Sequence, residues 1–322
     1  MNLNRRQALL ATCAAALPAS AFPQESFPSR PVRVIVPLPA GATSDVGMRV
    51  LAKELSQLAG QPFIVENRPG GNNAIGAQAV LSAPPDGYTL LVGSNASMAA
   101  NMAMLRRPGY DAINDFTPVG LMVNARWVMV VPASSPHATM EQLVAAAKRE
   151  PKSMNAAASS SGYHLATALF ARAAGVTLNV VPYKGTPPAF QDLIGGQVGM
   201  MVVDLSSALP LVASGRLRAL GVVSDERLAV LPEVPTLKER GYGSTSLHSW
   251  AALFAPAKTP PATVQRLAVL LEQAMKTETY RRHAAETRSE ASFVGPAAMA
   301  AFQKSQVEAY REAMLVAGLQ AE

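Results

Sequence analysis

Apolar residues recur along this chain in two alternating periods. Val32-Arg33-Val34-Ile35-Val36 is a short β-branched run and predicts a strand. After the turn from Pro37 to Ser44, residues Met48, Leu51, Ala52, Leu55 and Leu58 fall on one face at 3–4 spacing. That spacing predicts a helix with Ser44 or Thr43 as its N-cap and Asp45 in the first turn. Phe63-Ile64-Val65 predicts a second strand. The loop Asn67 to Asn73 then opens into a helix from Ile75 to Ser82, and Tyr88 to Val92 forms a third strand beyond Pro84-Pro85-Asp86-Gly87. Such alternation predicts a mostly parallel sheet with helices on its faces.

The long apolar stretch Val119 to Val131 is broken by Asn124-Ala125-Arg126 and reads either as two strands or as one long crossing between domains. A second strand–helix series follows. Thr139-x-x-Gln142 is a capping box, and Tyr163 to Ala174 is helical with Leu165, Leu169, Phe170 and Ala173 inward and Gly175 as its stop. Val176 to Val180, Val198 to Val203 and Leu217 to Val223 predict strands, and Trp250 to Ala255 predicts the return crossing. Long amphipathic helices, Thr263 to Lys276 and Ala297 to Leu315, finish the chain. The pattern predicts two α/β lobes joined by two crossing strands, with the C-terminal helices packed back on the first lobe.

Composition narrows the class. Hydrophobic residues make up 49% and charged residues 16%, a balance that excludes disorder. The net charge of +6 comes without any Lys/Arg cluster interleaved with aromatics, so no nucleic-acid partner is expected. Residues 1–21 read as a signal peptide: Arg5-Arg6, the apolar run Ala8 to Leu17, then Ala19-Ser20-Ala21. The run is shorter than the roughly 20 residues a bilayer requires, and Arg5-Arg6 before Leu9-Leu10 is similar to a twin-arginine signal. The expected location is the periplasm. Cys13, the only cysteine, lies inside this segment, so removal leaves no disulfide, thiolate or Cys metal site. Losing Arg5 and Arg6 with it takes the charge from +6 to +4.

The catalytic inventory is thin. There is no G-x-S-x-G, G-x-x-x-x-G-K-[ST], H-E-x-x-H or G-x-G-x-x-G pattern. His137, His164, His248 and His283 show no metal-ligand spacing. No catalytic residue, metal or cofactor is therefore expected. More informative are three turn-to-helix junctions: Gly41-Ala42-Thr43-Ser44, Pro69 to Ile75, and Ser159-Ser160-Ser161-Gly162. Small and hydroxyl residues at a helix start leave N–H groups that favour an anion, although ordinary caps have the same composition. Asp204, at the end of an apolar strand, either reads a ligand N–H group or caps the helix that follows. His164 is either a ligand contact or a packed or surface histidine, and Lys184 is either the nearest basic ligand contact or a solvated surface lysine.

At these residues the chain resembles the substrate-binding proteins of tripartite tricarboxylate transporters, the Bug family. The resemblance rests on Pro37-x-Pro39-x-Gly41-x-x-Ser44-Asp45, Val65-Glu66-Asn67-Arg68-Pro69-Gly70, Asp86-Gly87-Tyr88-Thr89-Leu90, Val181-Pro182-Tyr183-Lys184-Gly185 and Leu231-Pro232-x-Val234-Pro235-Thr236, in that order. It implies a two-lobe periplasmic binding protein of type II, with residues 22–124 and 251–322 in lobe 1 and 125–250 in lobe 2. The implied role is to hold a small carboxylate in the interlobe cleft and deliver it to inner-membrane transporter subunits, as a monomer. By position, the implied ligand-binding residues are Gly41, Ala42, Thr43, Ser44, Asp45, Asn72, Asn73, Ser94 and Ser97 in lobe 1. Ser160, Ser161, His164 and Asp204 are their counterparts in lobe 2. Two departures stand out: Ala42 replaces the family's usual second glycine, and Met98 replaces a common histidine. The rival functions are an exported ligand-sensing receptor of a signalling system and, more remotely, an exported hydrolase using Ser160, His164 or Asp204.

Overall fold

A computed structural model describes residues 27–243, 247–287 and 290–321; the segment read as a signal peptide lies outside them. The chain runs β1 (Val32–Val36), α1 (Thr43–Ala59), β2 (Phe63–Asn67), α2 (Ala74–Leu81) and β3 (Thr89–Ser94). A π-helical turn (Ala96–Ala100) then passes into α3 (Asn101–Met104) and β4 (Phe116–Ala125). Next come β5 (Trp127–Pro132), α4 (Met140–Arg149), β6 (Asn155–Ala158), α5 (Ser161–Ala174) and β7 (Asn179–Pro182). They are followed by α6 (Thr186–Ile194), β8 (Met200–Asp204), α7 (Leu205–Ala213) and β9 (Leu217–Val223). The last elements are β10 (Ser249–Pro256), α8 (Pro261–Lys276), α9 (Glu278–Glu286), β11 (Glu290–Val294) and α10 (Pro296–Ala317).

Two sheets result, ordered β11-β4-β10-β3-β1-β2 and β7-β6-β8-β5-β9. Each has a parallel core, β3-β1-β2 in one and β7-β6-β8 in the other, extended by antiparallel strands. The ambiguous stretch resolves into two strands: β4 joins the first sheet, β5 joins the second, and only Arg126 separates them. The return crossing leads from β9 to β10, which inserts between β3 and β4. The Ala-rich strand β6 has no β-branched signal in the sequence. It forms because its backbone pairs with β7 and β8 while Ala156 and Ala157 are fully buried.

Three expectations shift. Leu58 belongs to the apolar stripe of α1 yet is 41% exposed, while Met48, Leu51, Ala52 and Leu55 are buried. On α5 the inward face is Leu165, Ala166, Phe170 and Ala174; Leu169 is half-buried and Ala173 exposed. The two long C-terminal helices also behave differently from each other. α8 packs on α1 and β4, as expected, but α10 lies against β4 and the π-helical turn on one side and against α5 on the other. Its 22 residues span roughly 33 Å at 1.5 Å per residue, long enough to serve both sheets. One buried cluster accordingly runs from Ile35 and Leu91 through Trp127 to Val131 and on to Tyr310 and Met314.

Candidate functional site

The candidate residues occupy loops at the carboxyl ends of β1, β2, β3, β6 and β8, the side on which open α/β sheets receive ligands. The β1–α1 loop is the most unusual of them. Neither Thr43 nor Ser44 is the N-cap of α1. Ala42 is, with φ −63° and ψ 152° and no side chain to cap with. The turn decides this: the Ala42 N–H donates to the Pro39 carbonyl at 3.2 Å, and Gly41 takes φ +84°, a left-handed conformation that favours glycine. The N–H groups of Thr43 and Ser44 are thus first-turn donors without an intrahelical acceptor.

Asp45 holds that loop in place. Its carboxylate is 1% exposed and accepts from the Gly41 N–H at 2.8 Å, Arg49 Nε at 3.1 Å and Asn67 Nδ2 at 2.9 Å. Burial pushes its pKa up, but these hydrogen bonds and the Arg49 charge outweigh it and hold the carboxyl below its usual value. Asn67 also donates to the Leu38 carbonyl at 3.0 Å, so the ends of β1 and β2 are tied together.

The β2–α2 loop passes alongside. A Cβ on Gly76 would stand 2.6 Å from Pro37 Cβ, a separation only glycine permits. Asn72 and Asn73 both adopt positive φ, 49° and 73°, which asparagine tolerates better than most residues. Buried Asn101 fixes them: its Nδ2 donates to the Asn72 carbonyl at 2.8 Å and to Tyr110 Oη at 3.1 Å. The Tyr110 hydroxyl in turn donates to the Ser97 carbonyl. Ser94 and Ser97 face each other, with the Ser94 N–H donating to Ser97 Oγ at 3.0 Å, and Ser97 is fully buried. The nine first-lobe candidates thus lie on three neighbouring segments at the carboxyl ends of β1, β2 and β3.

On the second sheet Ser160 caps α5, accepting from the Tyr163 N–H at 3.3 Å, and Ser161 and His164 are half-buried on the first turn. Asp204 stands at the N-cap position of α7 but makes no side-chain cap. Its Oδ1 is buried and has no hydrogen-bond partner. Burial raises its pKa to about 6, against the opposing pull of Ser249, Tyr163 and Trp127. Burial and the Asp204 charge likewise push the Tyr163 hydroxyl well above its ordinary value. Trp127 and Tyr163 meet edge-on with centroids 5.3 Å apart, and Trp127 Nε1 donates to Ser249 Oγ at 2.8 Å. Ser160 and His164 are joined only through the backbone, the His164 N–H donating to the Ser160 carbonyl at 3.0 Å, and the Ser160 Oγ is engaged by the Tyr163 N–H rather than by an imidazole. Among the described residues no group of three or more His, Cys, Asp or Glu side chains stands together as a metal site.

Several members of this arrangement escape the sequence reading: Asn95, Trp127, Tyr163, Ser249 and Tyr310. A usable signal was present on α10, where Gln303, Gln306 and Tyr310 interrupt the buried face formed by Met299, Val307 and Met314. Polar residues at helical spacing on an apolar face mark buried hydrogen bonding, here Gln303 Nε2 to the Ala112 carbonyl at 2.8 Å and Asn95 Nδ2 to Tyr310 Oη at 3.0 Å.

Comparison with known proteins agrees with this architecture. The family described as "Tripartite tricarboxylate transporter family receptor" matches residues 47–317. Protein BugT of Bordetella pertussis is 34% identical over 285 residues, 86% of each chain. Among solved structures, R. palustris Rpa4515 with adipate is similar at a TM-score of 0.84 and 30% identity, covering 92% of this chain and all of that one. MatC from Rhodopseudomonas palustris with bound malate is similar at 0.80 and 27%, covering 89% and 99%. By the family match over most of its length, its BugT similarity and its two-sheet fold, the chain belongs to the tripartite tricarboxylate transporter receptors, a family of periplasmic solute-binding proteins rather than enzymes.

Proposed function

We propose that this receptor captures a small carboxylate between two lobes, residues 22–124 with 251–322 and residues 125–250, and delivers it to inner-membrane transporter subunits after export to the periplasm. The observation that carries the reading is the start of α1. This 17-residue helix begins at an alanine with no capping side chain; other helices such as α6 and α7 also lack a side-chain cap, but α1 opens at the carboxyl end of β1, its turn held by buried Asp45. Uncapped first-turn N–H groups and the helix dipole suit an anion. The similar structures solved with adipate and malate support a carboxylate as that anion.

In this reading Gly41 to Ser44, with Asn72, Asn73 and Ser94, form the wall that meets the carboxylate. Asp45 and Ser97 act by positioning, since their polar atoms are already engaged. Ser160, Ser161 and His164 approach from the second lobe, and Asp204, with its free Oδ1, reads the remainder of the ligand. Adipate and malate, each beside its dimethyl ester, are the probes in a thermal-shift titration of protein first unfolded and refolded to strip any bound ligand. A carboxylate at 100 times its dissociation constant adds about 2.7 kcal/mol, and its ester adds nothing. Equal shifts with acid and ester, or none with any small carboxylate, would sink the reading.

A further inference from the structure

We propose that Gly162 is the seat that lets the two lobes close on one another, and that tight carboxylate binding depends on the space left by its missing side chain. The inference rests on the receptor reading above and concerns how the grip is completed. Gly162 is the second residue of α5, the helix whose start carries Ser160, Ser161 and His164. A Cβ built on it would meet Tyr310 Oη at 2.9 Å, Asn95 Nδ2 at 3.2 Å and Trp127 Cη2 at 3.2 Å. Those three groups come from different parts of the fold. Asn95 directly follows β3 of the first sheet, Tyr310 lies on α10, and Trp127 opens β5 immediately after the crossing at Arg126.

Neither polar neighbour is free to yield. Asn95 Nδ2 donates to Tyr310 Oη at 3.0 Å, Tyr310 is fully buried and Asn95 is 7% exposed. The backbone does not explain the glycine either, because Gly162 does not take a positive φ. Within a helix, alanine is the better former. What remains is close approach: only a residue without a Cβ lets the start of α5 settle against Asn95 and Tyr310. The contact sits beside the Trp127–Ser249 hydrogen bond, which links β5 to β10. A Cβ here would wedge the start of α5 away from Asn95 and Tyr310, and Gly162 is a positioning residue that need not touch the ligand.

Spin labels at Lys53→Cys on α1 and Gln191→Cys on α6, both exposed positions, report the lobe separation in a Cys13→Ser background. Pulsed dipolar distances and adipate or malate affinity are measured for the parent, Gly162→Ala, Tyr310→Phe and the double variant. Gly162→Ala is expected to lengthen the interlobe distance and weaken binding at least tenfold. The double variant, which lacks the nearest clashing atom, returns the affinity to within threefold of Tyr310→Phe alone and the distance to that variant's value; a double variant that keeps the defects of Gly162→Ala overturns the proposal. A Gly162→Ala protein with parental distances and affinity overturns the proposal. So does a Gly162→Ala protein that fails to fold and is not recovered by Tyr310→Phe. If the parent binds no small carboxylate, the receptor reading fails, while the label distances still decide whether position 162 controls closure.

Discussion

Asp45 and Asp204 both stand at the start of a helix, and their surroundings give them opposite electrostatics. Asp45 is buried among donors, and its pKa is lowered. It therefore contributes stability that is present above about pH 4 and lost as pH falls through its folded-state value. Asp45→Ala strands the Gly41 N–H and the Asn67 amide, so urea denaturation at pH 7 should show a loss of about 2–3 kcal/mol. Asp204 is half-buried, with a buried Oδ1 that is unused, and its pKa rises from 3.8 to about 6. The sign reverses: its favourable contribution is complete below about pH 4 and disappears as pH rises through 6. A shift of that size corresponds to roughly 3 kcal/mol. Asp204→Asn should accordingly be more stable than the parent at pH 8 by up to that amount, with the gain gone at pH 4, while its carboxylate affinity falls. Equal stability changes at both pH values would contradict this assignment.

At the scale of the element, α1 shows function opposing stability. Ala42 already has the extended N-cap conformation, so Ala42→Asp places an acceptor over the first-turn N–H groups. Such a cap is worth about 1 kcal/mol, visible as a higher melting temperature. The same carboxylate would occupy the donors assigned to the ligand, so adipate or malate binding should be abolished in the stabilised variant. The β2–α2 loop offers a control without new charge. Asn73→Gly suits the left-handed backbone, whereas Asn73→Val should destabilise by about 1–2 kcal/mol, read from chemical denaturation. Both results depend on backbone conformation that the local sequence only partly announces: Gly41 and Gly70 mark turns, but nothing in the chain marks Ala42 rather than Thr43 or Ser44 as the cap.

At the scale of the molecule, α10 joins the two sheets. It touches β4 and the π-helical turn on the first-sheet side and α5 on the second, and one buried cluster continues through it. Calorimetry should show one unfolding transition; two resolved transitions would mean that the lobes unfold independently. The two tryptophans lie at the crossings, Trp127 at the start of β5 and Trp250 in β10, at 0% and 2% exposure. Intrinsic fluorescence is thus positioned to report the proposed closure as a ligand-dependent change in emission.

The sequence by itself determined the elements and their class. Period-2 and period-3.6 apolar patterning is local, so β1, α1, β3, α5, β9, β10 and α8 are legible within a few residues. The order and spacing of the Pro-x-Pro, Asn-Arg-Pro-Gly and Tyr-Lys-Gly blocks were enough to indicate the family. Tertiary structure decided what patterning cannot encode. It divided Val119 to Val131 between two sheets, made a strand of Asn155–Ala158 by pairing both its edges, and set α10 across both sheets. It also separated Asp45, saturated with donors, from Asp204, left with a free oxygen. Hydrogen-bond partners and burial are set by residues distant in the chain, as with Asn95 and Tyr310, 215 positions apart. The physical character of each site residue therefore exists only once the loops have met.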